Sequence, residues 1–225
     1  MEIGTGCRVV GGMERRSWIS MAAAACCGSC GRRRTAGTAA AREEKRPWVP
    51  LEESWQHVMG GELTRSGEGS LRLGWGEGLS AMKWTGAPPA LPFEIEWDAR
   101  RIDGTDFFCG LTFPARVSGE SLTLIVGGWG GSLLGISSID GRDASENETS
   151  CHRPFEKERW YRLRLRRDAE RLDTWIDGEQ VMGIDTTGRK LSLRPGPIDC
   201  CAPFGLATWQ TTGEFRDLRW RRLEA

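Results

Sequence analysis

Beyond Trp48 the apolar positions repeat every two residues more often than every 3.6, which predicts strands rather than helices. Phe93, Ile95 and Trp97 alternate with Glu94, Glu96 and Asp98. Tyr161, Leu163 and Leu165 alternate with Arg162, Arg164 and Arg166, and Leu71, Leu73 and Trp75 with Arg72 and Gly74. Residues 106–113, 122–126 and 133–139 read as further strands, separated by Pro114, by the run Gly127-Gly128-Trp129-Gly130-Gly131 and by Asp140-Gly141. The clearest local signal is Asp177-Gly178 between Leu172–Ile176 and Gln180–Ile184, a dipeptide whose residues both tolerate positive φ and so suit a tight hairpin. Residues 204–209 and 215–223 form the last predicted pair. About ten short strands with turn signals between them, and no long helix, predict an all-β domain. Half-apolar sheets must each bury one face, so two antiparallel sheets stacked as a sandwich are the economical solution.

The first fifty residues follow a different pattern. Arg15 and Arg16 precede an apolar, alanine-rich stretch ending at Cys26, an arrangement like a twin-arginine export signal, with Cys26 placed as a lipid-anchor site. The stretch is too short for a permanent transmembrane span. A plain Ala/Arg/Gly leader with translation starting at Met1 or Met13 is the other reading. Residues 1–47 are therefore expected to be an export signal or leader and linker, and 48–225 the sandwich domain, in an exported protein (periplasmic, cell-envelope or extracellular).

Composition narrows the function classes. Lys plus Arg and Asp plus Glu each number 31 in the 225 residues, for zero formal charge. The concentrated positive excess of nucleic-acid binders is missing, and no nucleic-acid partner is expected. Of the eight cysteines, only Cys27 and Cys30 have C-x-x-C spacing, without a second pair for zinc. Cys109, next to Phe108, reads as a buried thiol, and Cys200 and Cys201 as neighbours facing opposite sides of a strand. Gly127–Gly131 lacks the lysine and helix of a phosphate loop. His57 and His152 have no accompanying nucleophile motif.

Candidate chemistry centres on the loop after Asp140. Asp140, Asp143, Glu146 and Glu148 place four carboxylates within nine residues, alongside Asn147. Such a cluster suits glycoside cleavage, which uses one protonated and one ionised carboxyl. It also suits structural calcium, although the spacing is not that of an EF-hand, or a solvated acidic loop. Asp143, Glu146 and Glu148 are the catalytic candidates. Glu94 and Glu96 lie on one strand face about 7 Å apart, as either a sugar cleft or an ordinary charged face would have them. Trp129, isolated among glycines, and Trp209 with Gln210 are candidates for stacking on sugar rings, together with Asp140 and Asn147 as hydrogen-bonding groups; burial in the core is the competing reading for the tryptophans.

The segments 69–79, 92–101, RWYRLRLRRDAERLDTWIDGEQV (159–181) and FGLATWQTTGEFRDLRWRRL (204–223) together resemble the 3-keto-disaccharide hydrolase domain family over residues 48–225. The resemblance implies a concanavalin A-like lectin/glucanase fold, a jelly-roll β-sandwich, and a sugar ligand. Members of that family commonly carry a Gly/Asn-rich stretch where this chain has Gly104-Thr105-Asp106-Phe107-Phe108. They often carry an Asp-His pair where it has Thr208-Trp209-Gln210-Thr211. The expected function is carbohydrate recognition, with hydrolysis of (3-keto) glycosides as its specific form. A non-catalytic carbohydrate-binding module and a structural or interaction domain are the alternatives.

Overall fold

The computed structural model describes residues 46–66 and 69–224. The expected export signal and the lipid-anchor position Cys26 lie outside them. Among the described residues, fifteen strands pair antiparallel into two sheets. The first sheet runs, in spatial order, β13 (Glu179–Asp185), β12 (Arg171–Ile176), β11 (Tyr161–Arg167), β6 (Phe93–Gly104), β15 (Thr211–Arg222), β4 (Leu71–Leu73) and β3 (Leu63–Arg65). A short β1 (Val49–Pro50) pairs with β15 off this path. The second sheet runs β10 (Cys151–His152), β9 (Leu133–Ser137), β8 (Ser121–Gly128), β7 (Cys109–Pro114), β14 (Gly205–Trp209), β5 (Leu79–Trp84) and β2 (Trp55–Met59). This is the expected all-β sandwich of two antiparallel sheets.

The alternation read from the sequence sets the inner faces. Phe93, Ile95, Trp97 and Ala99 of β6 and Tyr161, Leu163 and Leu165 of β11 are all buried, facing Leu111 and Phe113 of β7 and Leu122, Leu124 and Val126 of β8. Each such side chain stabilises the fold by roughly 1.5–3 kcal/mol relative to exposure. The Asp177-Gly178 turn has φ of 52° and 84°, as its residues require. Cys109 is a fully buried thiol that accepts a hydrogen bond from Trp97 Nε1 at 3.4 Å, and burial pushes its pKa up to about 12.

Two buried arginines bolt the sheets together. Arg167, at the end of β11, reaches across to Ala115 beyond β7. Arg101, near the other end of β6, reaches the loops around Asp106, Gly127 and Gly131. Neither was legible from the alternation, which puts Arg167 next to the arginine stripe.

Several expectations are corrected. Leu79–Trp84, to which the alternation assigned no element, is a strand whose first four residues are buried on both faces. Trp75, expected on an apolar face, follows the end of β4 and is 54 % exposed. The strand expected over 133–139 ends at Ser137, and the one over 106–113 starts at Cys109. Cys200 and Cys201 are not on a strand but in a 3-10 turn, Pro197–Cys201, with Cys201 buried and Cys200 partly open.

Candidate functional site

Because Leu122, Leu124 and Val126 face inward, Thr123 and Ile125 of β8 face the outside of the second sheet. Ser137 of β9, Leu79 of β5 and Trp209 of β14 share that outer side. It is only partly open to solvent: Leu79, Ile125, Ala207 and Phe107 pack with Ala144 and Cys201 in a second apolar cluster. The loop 139–150 and the 3-10 turn supply that cover. A cleft of about 380 Å³ remains between them, within the range of roughly 300–1,000 Å³ of small-molecule sites. Its floor is largely apolar, formed by Leu79, Phe107 and Ile125. Asp106, Asp143, Arg194, Trp129 and Trp209 border it.

The Trp129 turn is held in an unusual conformation. Trp129 has φ of 47° and stays 41 % exposed, a backbone region that bulky side chains rarely occupy. Arg101 Nη2 donates to the carbonyls of Gly127 at 3.2 Å, Gly131 at 3.1 Å and Asp106 at 3.1 Å, clamping both ends of the turn and the strand entry beside it. Burial lowers the Arg101 pKa, with Asp106 opposing. A Cβ at Gly127 would sit 2.6 Å from Arg101 Nη2, so this clamp requires glycine.

The two carboxylates differ in how far they are engaged. Asp143 Oδ1 accepts from Ser137 Oγ at 2.5 Å and from Ala144 N at 2.7 Å, while Oδ2 lies 2.6 Å from Arg194 Nη1. Both of its oxygens are occupied by donors. Asp106 Oδ1 accepts from Phe107 N at 2.7 Å, and Oδ2 has only a long contact to Gly130 N at 3.4 Å. Asp106 is thus the freer acceptor in the cleft. The Arg194 guanidinium links Asp143 to the Trp129 ring, whose centroid is 5.9 Å away.

Of the residues singled out from the sequence, Asp143, Trp129 and Trp209 border the cleft. The rest of the acidic loop is used to hold itself together. Asn147 is buried and donates to the carbonyls of Ile136, Arg142 and Asp143, while its oxygen accepts from Thr149 N. Asp140 and Glu148 share Arg189, at 2.6 and 2.5 Å. The Asp140 carboxyl is held below its usual range by the Lys190 amide and Arg189, and the Glu148 carboxyl by Arg189. Glu146 accepts from Asp143 N at 3.3 Å. Gln210 Nε2 donates to Glu77 O at 3.0 Å. Glu94 and Glu96 pair with arginines on the outer face of the other sheet. The two histidines do not border the cleft. Among the described residues, no group of three or more His, Cys, Asp or Glu side chains is placed to hold a metal ion, and no helix is long and apolar enough to cross a membrane.

Asp106 and Arg194 were missed. Asp106 lies in the stretch that departs from the resembled family, and Arg194 opens a Pro-Gly-Pro connection with no periodicity to place it.

Of the three free thiols among the described residues, Cys200 in the 3-10 turn beside the cleft is the one whose pKa is lowered. Its hydrogen bond with Cys201 lowers the Cys200 pKa to about 7, with Lys83 assisting and burial opposing, whereas the same bond and burial raise that of Cys201. The thiolate is the nucleophile. Iodoacetamide is therefore expected to alkylate Cys200 well ahead of Cys109 and Cys201, at a rate that rises through pH 7 and flattens above it. Peptide mapping by mass spectrometry reads this out; a rate still climbing at pH 9 would contradict it.

No family profile matches this chain, and no curated protein matches it. Solved structures do. A carbohydrate binding module, CBM66 from Bacillus subtilis, has a TM-score of 0.53 at 17 % identity, covering 78 % of this chain and 99 % of that one. The Bacillus licheniformis beta-glucanase has a TM-score of 0.52 at 8 % identity, covering 79 % and 97 %. The chain has their jelly-roll β-sandwich fold. A putative glycosyl hydrolase from Parabacteroides distasonis, with a TM-score of 0.51 at 14 % identity, covers 79 % of this chain and 100 % of its own. At these identities the likeness establishes architecture, not activity.

Proposed function

We propose that the cleft on the second sheet binds a carbohydrate. The observation that carries this reading is Trp129, held outward at positive φ by the Arg101 clamp, on a cleft that also gathers Trp209, Asp106 and Asp143. Strained backbone persists where the surroundings impose it, and it concentrates at functional sites. An indole face packs against the C–H face of a sugar ring, and carboxylates accept hydrogen bonds from its hydroxyls. The occurrence of this fold in a carbohydrate binding module and a beta-glucanase supports the same ligand class.

The more specific reading is hydrolysis of a (3-keto) glycoside, supported by the sequence resemblance over 48–225. Of the three catalytic candidates only Asp143 reaches the cleft, so the second carboxyl would be Asp106. The rival reading, a non-catalytic binding module, draws on the Asp143 geometry: a carboxylate with both oxygens bound by donors is a poor nucleophile or base. An exported setting, which the Arg15-Arg16 leader pattern supports, suits either reading.

The deciding experiment incubates the protein with 3-keto disaccharides and their unoxidised parents, with products followed by mass spectrometry and binding by calorimetry. Release of monosaccharide, abolished by Asp106→Asn or Asp143→Asn, would establish a hydrolase. Binding without cleavage would establish the module. Neither would return the domain to a structural or interaction role.

A further inference from the structure

The outer face of the first sheet carries an ordered array of arginines that the cleft does not use. Strand register places it in rows. Arg162 of β11, Asp98 of β6 and Arg216 of β15 stand side by side, as do Arg164, Glu96 and Arg219, and then Arg166, Glu94 and Arg221. A fourth row is Arg100, Glu214 and Arg72 across β6, β15 and β4. Every row is one carboxylate between two guanidiniums.

The ion pairs run within the rows and between them, Arg164 reaching Glu94 of the next row and Arg166 turning to Asp168 at 3.4 Å. Asp98 contacts Arg162 at 2.5 Å and Arg216 at 3.3 Å. Glu94 contacts Arg164 at 3.5 Å and also Arg221; Glu96 contacts Arg219 at 2.7 Å. Glu214 contacts Arg100 at 2.6 Å and Arg72 at 3.8 Å. The Asp98, Glu94 and Glu214 side chains are only 5–6 % exposed, while those of Arg162, Arg72 and Arg219 keep 41–51 %. Arg221 and Arg100 are less open, at 13 and 28 %, and Glu96 keeps 18 %, so the exposed positive charge sits mainly on Arg162, Arg72, Arg219, Arg216 and Arg164. Tryptophan rings hold the guanidiniums in place: Trp160 has Arg100 and Arg216 at 4.4 and 4.1 Å, and Trp175 has Arg164 at 3.8 Å.

We propose that this face binds an acidic polysaccharide. Successive rows are about 7 Å apart along the strands, and the β11 and β15 columns about 10 Å apart across them, an array of cations spanning about 20 Å. Guanidiniums recognise carboxylate or sulfate groups by paired N–H bonds. The rows hold eight arginines and four acids, and Asp168, Asp217 and Asp173 border them; the small positive excess that remains costs self-repulsion, which a polyanion relieves. The tryptophans on this face, Trp48, Trp160 and Trp175, have guanidiniums over their rings rather than standing free to enter a lipid surface, and among the described residues no α-helix stands on the sheet to enter a duplex groove. That the polyanion is a polysaccharide rests on the carbohydrate reading of the cleft.

The test measures binding of the full chain to polygalacturonate at low and raised salt, against neutral dextran. In the triple variant Arg72→Gln, Arg162→Gln, Arg164→Gln, each of Glu214, Asp98 and Glu94 keeps one arginine. It is expected to fold as the parent does, to bind about tenfold or more weakly, and to show a flatter salt dependence. Arg72→Gln alone, at the loosest contact, gives a smaller loss in the same direction. The basic leader is common to all these proteins, so the differences report the sheet. Trp129→Ala is expected to bind polygalacturonate normally, which separates failure here from failure of the cleft reading. The proposal is overturned if the parent does not bind at low salt, if the folded variants bind as it does, or if duplex DNA or anionic vesicles bind as tightly as polygalacturonate.

Discussion

Replacing Arg167 with methionine is expected to lower stability by about 3 kcal/mol, since each buried acceptor left without a donor costs roughly 1–3 kcal/mol. The guanidinium is fully buried, and every hydrogen bond it makes goes to a neutral oxygen. Nε and Nη2 donate to Ala115 O at 3.0 and 2.7 Å, and Nη1 donates to Arg171 O at 3.1 Å and Thr186 Oγ1 at 3.0 Å. Nη2 also reaches Ala169 O at 3.3 Å. Burial depresses its pKa to about 10, with Arg116 adding to the effect and Asp168 opposing. A depressed pKa on a base means that the fold works against the charged form at neutral pH. Removing the charge therefore returns something, but methionine supplies no donors for Ala115 O and Ala169 O and leaves the two sheets without this bolt. The expected drop in melting temperature is roughly 6–12 °C for a domain of this size, measured by calorimetry. Arg167→Lys keeps a charge but has donors on only one atom, and should fall between the parent and the methionine variant. A loss for Arg167→Met below about 1 kcal/mol would mean that relief of the buried charge offsets the lost hydrogen bonds.

The second large effect separates stability from binding. Trp129→Gly removes a bulky residue from φ of 47°, a conformation costing on the order of 1–3 kcal/mol that glycine adopts freely. The variant is expected to melt at or above the parent's temperature. Its affinity for the carbohydrate proposed to bind in the cleft should fall about tenfold or more, equivalent to about 1.4 kcal/mol. Melting and titration calorimetry on one preparation check both halves. A destabilisation of several kcal/mol with unchanged affinity would make Trp129 a packing residue and remove the main support for the cleft.

Much of this was legible beforehand. The alternation of Phe93, Ile95 and Trp97 with acids is local information, because a strand's two faces are set by its own residues. So is the turn at Asp177-Gly178, whereas Trp129 among four glycines was open between exposure and burial until the structure left it 41 % exposed. The alternation of Arg162, Arg164 and Arg166 with Tyr161, Leu163 and Leu165 was legible too, and the arginines do face outward, Arg164 lying on the Trp175 ring. The acidic loop was harder. Its composition offered four interchangeable carboxylates, but Arg189, some forty residues downstream, holds Asp140 and Glu148, and Arg194 meets Asp143.

By itself the sequence determined the class of fold, the inner and outer faces of β6 and β11, and the hairpin turn at Asp177-Gly178. These depend on periodicities of two and on single-residue φ preferences, which act within a few positions. Only the tertiary structure decided that Asp106 rather than Glu146 or Glu148 joins Asp143 at the cleft, that Arg167 is buried while Arg166 is not, and that four strands align their arginines and acids in rows. Those outcomes come from strand order and register between segments far apart in the chain, and such pairings are selected by burial of the whole core rather than by any local signal.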